Sequence, residues 1–216
     1  MQKNIKKRIL TSLGLLLLLS LMLLDNFILG YFIIIVGIFT VLEFFNIIQI
    51  IFKKNKIKQF FACSLFTIYI FSFFSLFLYF SLFLHLKIII FTILLTCASS
   101  DIGGYIFGKI FKGPKLTGIS PNKTISGSIG SLLISVIFIS VFFYYLTKSF
   151  NPNIVIIGLS ISFFCQVGDL FFSFLKRKSL LKDTGNLLPG HGGILDRIDG
   201  MLLAIPFGFL LILTIY

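Results

Sequence analysis

The sequence predicts an all-α integral membrane protein with about seven transmembrane helices and a cytoplasmic N-terminus. Of its 216 residues, 57% are hydrophobic and only 12% are charged, whereas soluble domains carry about 25% charged residues. Several apolar runs approach the ~20 residues that cross a hydrocarbon core, and basic residues concentrate in alternate connections. Seven spans would leave roughly 76 residues for loops and tails, so we expect no separate soluble catalytic domain.

The apolar runs define the predicted spans. In order, they are Ile9–Leu24, Phe27–Phe52, Phe60–Leu84, Ile88–Phe107, Ser126–Leu146, Ile154–Leu175 and Ile198–Tyr216. Basic residues precede the first run, as in a signal peptide, but no small-residue cleavage site follows Leu24. We therefore expect an uncleaved first span. The cysteines lie inside apolar runs without paired or metal-type spacing, which indicates core residues.

The distribution of basic residues tests the number of spans, because cytoplasmic loops of membrane proteins carry an excess of Lys and Arg. With seven spans, alternate connections hold 17 and 2 of the 19 basic residues, and the N-terminal tail belongs to the richer set. A different number of spans would scramble this alternation. The net charge of +12 then reflects orientation and attraction to anionic lipid, and nucleic acid is not an expected partner.

Two of the seven carboxylates lie in the N-terminal part. Asp25 falls in the first outer connection and is interpreted as a solvated turn residue. Glu43 falls within the second predicted span, where an ionisable side chain is costly and is a functional candidate by default. Because the sequence indicates no partner for it, a structural hydrogen bond is favoured over a catalytic role.

Four aspartates are predicted to converge near the cytoplasmic face. Asp101 precedes the next lysine by eight residues and Asp169 by seven, which on a helix places each carboxylate roughly 10–12 Å below the cytoplasmic loop. Asp196 and Asp199 are three residues apart and share one face of a helix. Such a cluster needs a neutralising cation, and oxygen ligands favour Mg²⁺ or Ca²⁺. The alternative is salt bridges to nearby basic residues, namely Lys176, Lys182 and Arg197.

The loop between the last two predicted spans combines glycines with basic and acidic residues. Its members include Lys176, Arg177, Lys182, Asp183, His191, Gly192, Gly193 and Arg197. Glycine lets backbone N–H groups approach a ligand, successive N–H groups form anion-binding sites, and arginine suits phosphate. This combination predicts a metal-bridged phosphate site. His191 fits either direct substrate contact or a solvated loop position.

A second basic loop precedes the fifth predicted span. Serine before proline is a pattern typical of a helix start, which predicts a helix N-terminus at Ser120-Pro121. Because helix N-termini bind anions, Lys123 and Thr124 would face a bound phosphate. Nearby, Gly103 through Lys109 imitates a phosphate-binding P-loop, but Ile110 replaces the required Ser or Thr. We interpret Gly104 and Gly108 instead as a small-residue helix contact.

Several segments of the second half form longer motifs. They are Ser173–Arg177, Lys182–Gly185 and Leu188–Asp199 near the C-terminus, and, earlier, Asp101–Tyr105 with Gly108, Ser120–Thr124 with Gly127, and Gln166–Leu170. Together they resemble the phosphatidate cytidylyltransferases, also called CDP-diacylglycerol synthases, over about residues 97 to 207. Members of that family usually carry a glutamate where this chain has Ser126 and another where it has Phe172, and their N-terminal part is longer.

The resemblance implies that CTP and phosphatidic acid are joined into CDP-diacylglycerol and pyrophosphate at the cytoplasmic face. It implies Mg²⁺ as the cofactor and leaves a second cation open. The predicted catalytic residues are Asp169, Lys182, Asp183, Asp196, Arg197 and Asp199. The predicted substrate-binding residues are Ser120, Lys123, Thr124, Lys176, Arg177, His191, Gly192 and Gly193. The predicted metal ligands are Asp169, Asp196 and Asp199, with Asp101 in a supporting or second-metal role.

These expectations divide the chain into N-terminal transmembrane helices over residues 1–84 and a catalytic region over residues 85–216. They place the protein in the inner, cytoplasmic membrane, in contact with membrane lipids, and leave a homodimer open. Two other functions stay open as alternatives. One is another lipid-linked phosphotransferase. The other is a cation-coupled secondary transporter, which would require inverted repeats and broken helices that the sequence does not display.

Overall fold

The structure, a computed structural model, describes residue 14 and residues 17–121, 123–185, 187 and 192–215. Its described regular structure is helical and contains no sheet strand. Residues 17–24 are helical, and the longer helices that follow are α1 Asn26–Ile51, α2 Lys56–Ser81, α3 Leu84–Phe111, α4 Ile125–Thr147, α5 Asn153–Lys178 and α6 Leu195–Ile215. The all-α prediction is confirmed. Of the first predicted span, Ile9–Leu24, residue 14 and residues 17–24 are described, and they are helical.

Each helix from α1 to α6 is long and apolar enough to cross a membrane, and each overlaps one predicted span. The chain is therefore an all-helical membrane protein. Most of the helices extend beyond the predicted spans: α3 continues to Phe111 and α5 to Lys178. Hydropathy reports only the apolar stretch, whereas a helix continues into the polar interface for as long as its backbone hydrogen bonds do.

The chain forms two compact units. The first contains the described part of Met1–Lys87 together with Leu175–Ile198. In it α1 packs on α2, with the rings of Phe44 and Phe66 stacked at a centroid distance of 3.7 Å. Lys87 is buried and its Nζ donates to Asn26 Oδ1 at 2.7 Å, which ties the start of α3 to the start of α1.

The second unit contains Ile88–Phe174 and Asp199–Tyr216. Small residues let α3 approach α4 closely: a Cβ on Gly127 would lie 2.8 Å from the carbonyl oxygen of Gly104. One on Gly108 would lie 3.0 Å from Thr124 Oγ1 and 3.6 Å from the Gly127 Cα. The predicted helix contact at Gly104 and Gly108 is thus confirmed. Interhelical hydrogen bonds accompany such close contacts in membranes, and here Ser131 Oγ donates to Ser100 O at 2.9 Å.

Candidate active site

Asp196 is the centre of a hydrogen-bonded cluster in the first unit. Its side chain is only 6% exposed, and its Oδ1 accepts a hydrogen bond from the Lys176 ammonium at 2.6 Å. Its Oδ2 accepts from the backbone N–H groups of Thr184, at 2.8 Å, and Gly193, at 3.1 Å. The Thr184 hydroxyl is 3.0 Å from the same oxygen. Lys176, one of the basic partners foreseen for the acids, is therefore bonded to Asp196.

Glu43, on α1, joins this cluster from the other side of Thr184. Its side chain is buried, and its Oε2 accepts from Thr184 Oγ1 at 2.7 Å and from Leu195 N at 2.9 Å. Its Oε1 accepts from Ile194 N at 3.0 Å. These backbone groups open α6, where a negative charge is stabilised by the helix dipole. The structural hydrogen bond favoured for Glu43 is confirmed, and among the described residues its partners are Thr184, Ile194 and Leu195.

The glycine loop leaves no space for side chains beside these carboxylates. Gly192 has a φ of 84°, a left-handed conformation that favours glycine. A Cβ there would lie 3.1 Å from Asp196 Oδ2 and 3.5 Å from Asp183 Oδ1. A Cβ on Gly193 would collide with Thr184 and Glu43. The loop backbone therefore packs directly against the acids.

A cavity of about 530 Å³ lies in the second unit, within the roughly 300–1,000 Å³ typical of ligand sites. Charged side chains of both signs line it: Asp101, Lys109, Lys123 and Asp169. Neutral polar side chains complete it: Tyr105, Thr124, Ser128, Ser131 and Gln166. Asp101 and Asp169, which the sequence placed at matching depth, thus line one cavity.

Asp169 is held within this cavity by an ion pair. Lys123 Nζ lies 2.8 Å from Asp169 Oδ2, and their side chains are 31% and 20% exposed. Gly200 of α6 packs beside the same carboxylate, since a Cβ there would lie 2.8 Å from Asp169 Oδ1. A Cβ on Gly168 would lie 2.6 Å from the carbonyl oxygen of Asp199. Asp199 Oδ1 accepts from Gly200 N at 2.9 Å.

The predicted helix start at Ser120-Pro121 is wrong. Helix α4 begins at Ile125, and Thr124 is its N-cap, with its side chain accepting from Gly127 N. Ser120 instead begins a turn in which Lys123 N donates to Ser120 O at 3.1 Å. The chain after it is held extended by Leu116 N donating to Lys123 O at 2.8 Å. This pairing keeps the backbone out of the helix until Thr124, and it directs Lys123 and Thr124 to the cavity.

Gln166 is a cavity residue to which the sequence assigned no individual role. Its Nε2 lies 3.3 Å from both Ser128 O and Ser162 Oγ, and its Oε1 accepts from Ser128 Oγ. Ser162 in turn lies 2.8 Å from Ser100 Oγ. A glutamine amide inside an apolar run, next to the motif aspartate Asp169, was the available signal. These bonds connect α3, α4 and α5 at the cavity.

The two departures from the family pattern have different surroundings. Ser126 Oγ donates to Lys112 O and lies 3.1 Å from Thr124 Oγ1. Phe172 is buried, with only 3% of it exposed. A serine thus supports the loop at the start of α4, while a phenylalanine fills space where a glutamate would require polar partners.

The remaining predicted site residues are distributed as follows. Four of them, Arg177, Lys182, Asp183 and Arg197, are exposed, and His191 lies outside the described residues. Within the described ranges, no group of three or more His, Cys, Asp or Glu side chains is arranged to hold a metal ion. The assignment of Asp101, Asp169, Asp196 and Asp199 to a metal centre therefore stays a prediction.

Comparison with known proteins decides the family. The family model described as "Cytidylyltransferase family" matches residues 2–215. The chain belongs to this family. A phosphatidate cytidylyltransferase of Staphylococcus haemolyticus (strain JCSC1435) is 45% identical over 111 residues, which are 50% of this chain and 42% of that protein. One of Bacillus subtilis (strain 168) is 44% identical over 117 residues, 53% of this chain and 43% of that protein. The matched stretch spans less than half the length of these relatives.

Proposed function

We propose that this member of the cytidylyltransferase family is a phosphatidate cytidylyltransferase, which forms CDP-diacylglycerol and pyrophosphate from CTP and phosphatidic acid for phospholipid biosynthesis. The observation that carries the proposal is the cavity of about 530 Å³ in which Asp101 and Asp169 occur with Lys109 and Lys123. A cavity with both carboxylates and ammonium groups suits a phosphate that binds together with a cation, because the carboxylates attract the cation and the ammonium groups attract the phosphate. The similar bacterial proteins are themselves named phosphatidate cytidylyltransferases, which agrees with this choice.

The proposed reaction needs charge neutralisation more than proton removal. A phosphate oxygen of phosphatidic acid forms a bond to the α-phosphorus of CTP, while the bond from that phosphorus to the oxygen bridging to the β-phosphate breaks and pyrophosphate leaves. A phosphomonoester with a second pKa of about 6 is mostly ionised at pH 7. The lysines at positions 109 and 123 would bind and orient the phosphates, because fixed cations stabilise charge in phosphoryl transfer.

Magnesium fits the donor chemistry of the cavity. The carboxylates of Asp101 and Asp169 are hard oxygen ligands of the kind Mg²⁺ prefers, and both line the same cavity. When bound, the ion would neutralise phosphate charge. Asp196 differs, because Lys176, Thr184 and Gly193 already engage both of its oxygens. A metal ion bound directly to Asp196 would have to coordinate an oxygen that already accepts at least one hydrogen bond.

The activity is tested by incubating the purified protein with Mg²⁺, phosphatidic acid and each of the four nucleoside triphosphates. We expect lipid-linked nucleotide with CTP and strict dependence on the metal. Replacing phosphatidic acid by a polyprenyl phosphate tests the other lipid-linked phosphotransferase. Product from the polyprenyl substrate alone would replace the proposed function by that alternative. Cation uptake into vesicles without any product would favour the transporter.

We further propose that the protein lies in the inner membrane with both basic loops, around Lys123 and Lys182, on the cytoplasmic side. Support comes from the division of basic residues, 17 against 2, between alternate connections. Single cysteines at positions 148 and 182, in a background without native cysteines, can be treated in intact cells with a membrane-impermeant thiol reagent. Labelling at 148 alone is expected. Labelling at 182 alone would contradict the orientation, and a permeant reagent serves as the control.

A further inference from the structure

Glu43 is hydrogen-bonded to the C-terminal loop although it lies far from that loop in sequence. It belongs to α1 and precedes its partners Thr184 and Leu195 by 141 and 152 residues. Its side chain is 4% exposed. A buried carboxylate is costly unless it is hydrogen-bonded. Its three bonds offset that cost, and all of them reach the segment that contains Asp196.

The two backbone bonds define where α6 begins. The first N–H groups of a helix have no partner within the helix, and Glu43 accepts from Ile194 and Leu195 at 3.0 and 2.9 Å. Asp196 is the next residue along the chain. Loss of the glutamate would leave these donors unpaired in a buried position and would permit the first turn of α6 to fray, which changes the direction of the Asp196 side chain.

The Thr184 hydroxyl has one proton and two carboxylates within reach. It lies 2.7 Å from Glu43 Oε2 and 3.0 Å from Asp196 Oδ2. Since a hydroxyl donates one hydrogen bond, the shorter distance assigns the proton to Glu43. The Thr184 backbone N–H is then directed to Asp196 at 2.8 Å. Glu43 thereby holds the residue that orients Asp196.

We propose that Glu43 is a positioning residue for Asp196, acting through Thr184 and through the first turn of α6. The proposal makes the first unit's α1 part of the site's support rather than a membrane anchor alone. It rests on the proposed function only in that Asp196 takes part in the reaction. The anchoring itself is a property of the protein without substrate, and it can be measured separately.

The first experiment measures the anchor by hydrogen–deuterium exchange of the Ile194 and Leu195 amides in detergent. Glu43→Gln keeps the shape but replaces one of the two acceptor oxygens by an amide donor, so we expect exchange of at least one of the two amides to accelerate at least about tenfold. The matched control is Thr40→Val. Thr40 is also buried on α1, one turn earlier, and its hydroxyl bonds within its own helix to Val36 O. The control should leave exchange unchanged.

The second experiment measures turnover of CTP and phosphatidic acid. Substitution of a residue that orients a functional side chain typically lowers activity roughly 10–100-fold. We expect the kcat of Glu43→Gln to fall by a factor of this size. Thr184→Val should lose activity similarly, because it deletes the hydroxyl. Thr184→Ser should restore it, because the hydroxyl returns. Rescue by serine distinguishes positioning from packing, and this pair decides the question if Glu43→Gln does not fold.

The outcomes separate cleanly. Faster amide exchange together with the kcat loss and the serine rescue supports the proposal. Normal activity in Glu43→Gln, or lost activity with unchanged exchange, overturns it, as does equal loss in the valine and serine variants. If the wild-type protein forms no lipid-linked nucleotide, the proposed function fails. The exchange experiment still decides whether Glu43 holds the start of α6.

Discussion

In the first unit, the Asp196 side chain is 6% exposed and lies within hydrogen-bonding distance of donors from Lys176, Thr184 and Gly193. In the second unit, the Asp169 side chain is 20% exposed, is paired with Lys123, and lines a cavity of about 530 Å³. A carboxylate whose oxygens are all engaged maintains a conformation, whereas one beside open space has capacity left for a ligand. The same residue type is therefore buried in a hydrogen-bond network in one unit and lines open space in the other.

The largest expected effect is that of Asp196→Asn. Loss of the charge would leave Lys176 without its partner and weaken charged hydrogen bonds worth about 1.5–3 kcal/mol each, so both stability and activity should fall. We expect turnover to decrease at least about 10³-fold, about 4 kcal/mol in the barrier. Kinetic assays and thermal unfolding in detergent measure the two effects.

The matched control for that variant is Asp25→Asn. Asp25 is an exposed N-cap of α1, where asparagine is nearly as favourable, so activity and stability should stay close to wild type. Retention of more than about a tenth of the activity in Asp196→Asn, under 1.4 kcal/mol in the barrier, would contradict a role of Asp196 in the reaction.

The second prediction concerns the cavity carboxylates. Asp101→Asn and Asp169→Asn should each lower activity at least about 10²-fold, near 2.7 kcal/mol, with Asp169 more sensitive. Stability should hardly change, because a partly exposed ion pair contributes only about 0–1 kcal/mol. If the two residues share one cation, the double variant should be little worse than the poorer single one. Multiplying losses with an unchanged Mg²⁺ dependence would indicate separate roles.

The third prediction concerns the packing of α3 against α4, which supports the cavity, rather than the charged residues that line it. Gly127→Ala places a Cβ 2.8 Å from the backbone oxygen of Gly104, and such overpacking costs about 1–3 kcal/mol. We expect a lower unfolding temperature in detergent. Gly118→Ala is the control, because nothing lies within 4 Å of its Cβ position. Equal stability of the two variants would show that the α3–α4 approach is not tight.

The smallest expected effect separates Lys178 from Lys176 at the end of α5. Lys178 is exposed and its ammonium lies 5.6 Å from the centroid of the Phe52 ring, a contact worth about 0.5–1 kcal/mol. Lys178→Met should therefore lower stability by at most about 1 kcal/mol and leave turnover nearly unchanged. Lys176→Met should reduce both more strongly. Similar losses in the two variants would show that total positive charge, not the Asp196 pair, matters here.

Much of the fold could be predicted because its signals are local. Apolar runs predicted the helices α1 to α6, and glycine spacing predicted the contact at Gly104 and Gly108. The start of α4 was missed because backbone pairing between Leu116 and Lys123, rather than the Ser120-Pro121 pattern, determines where that helix begins. Local propensity does not report such pairing.

The sequence identified individual candidate site residues better than it identified the hydrogen bonds between them. The sequence indicated that Asp101 and Asp169 belong together, and both line one cavity. It did not indicate that Glu43 is bonded to the segment of Asp196, because that contact joins residues 141 to 152 positions apart. An isolated glutamate in an apolar run signals that a partner exists but does not identify it.

The long sequence separation of the Glu43 contacts has a consequence for biosynthesis. A ribosome adding about 5–20 residues per second completes α1 long before it reaches Leu195, 152 residues later, a delay of roughly 8–30 s at that rate. During this interval, α1 resides in the translocation machinery or in lipid, and the groups that later donate hydrogen bonds to Glu43 have not all been synthesised. The Glu43 contacts therefore form only after Leu195 has been synthesised, and nascent chains truncated before Leu195 should be preferred substrates of membrane quality-control proteases.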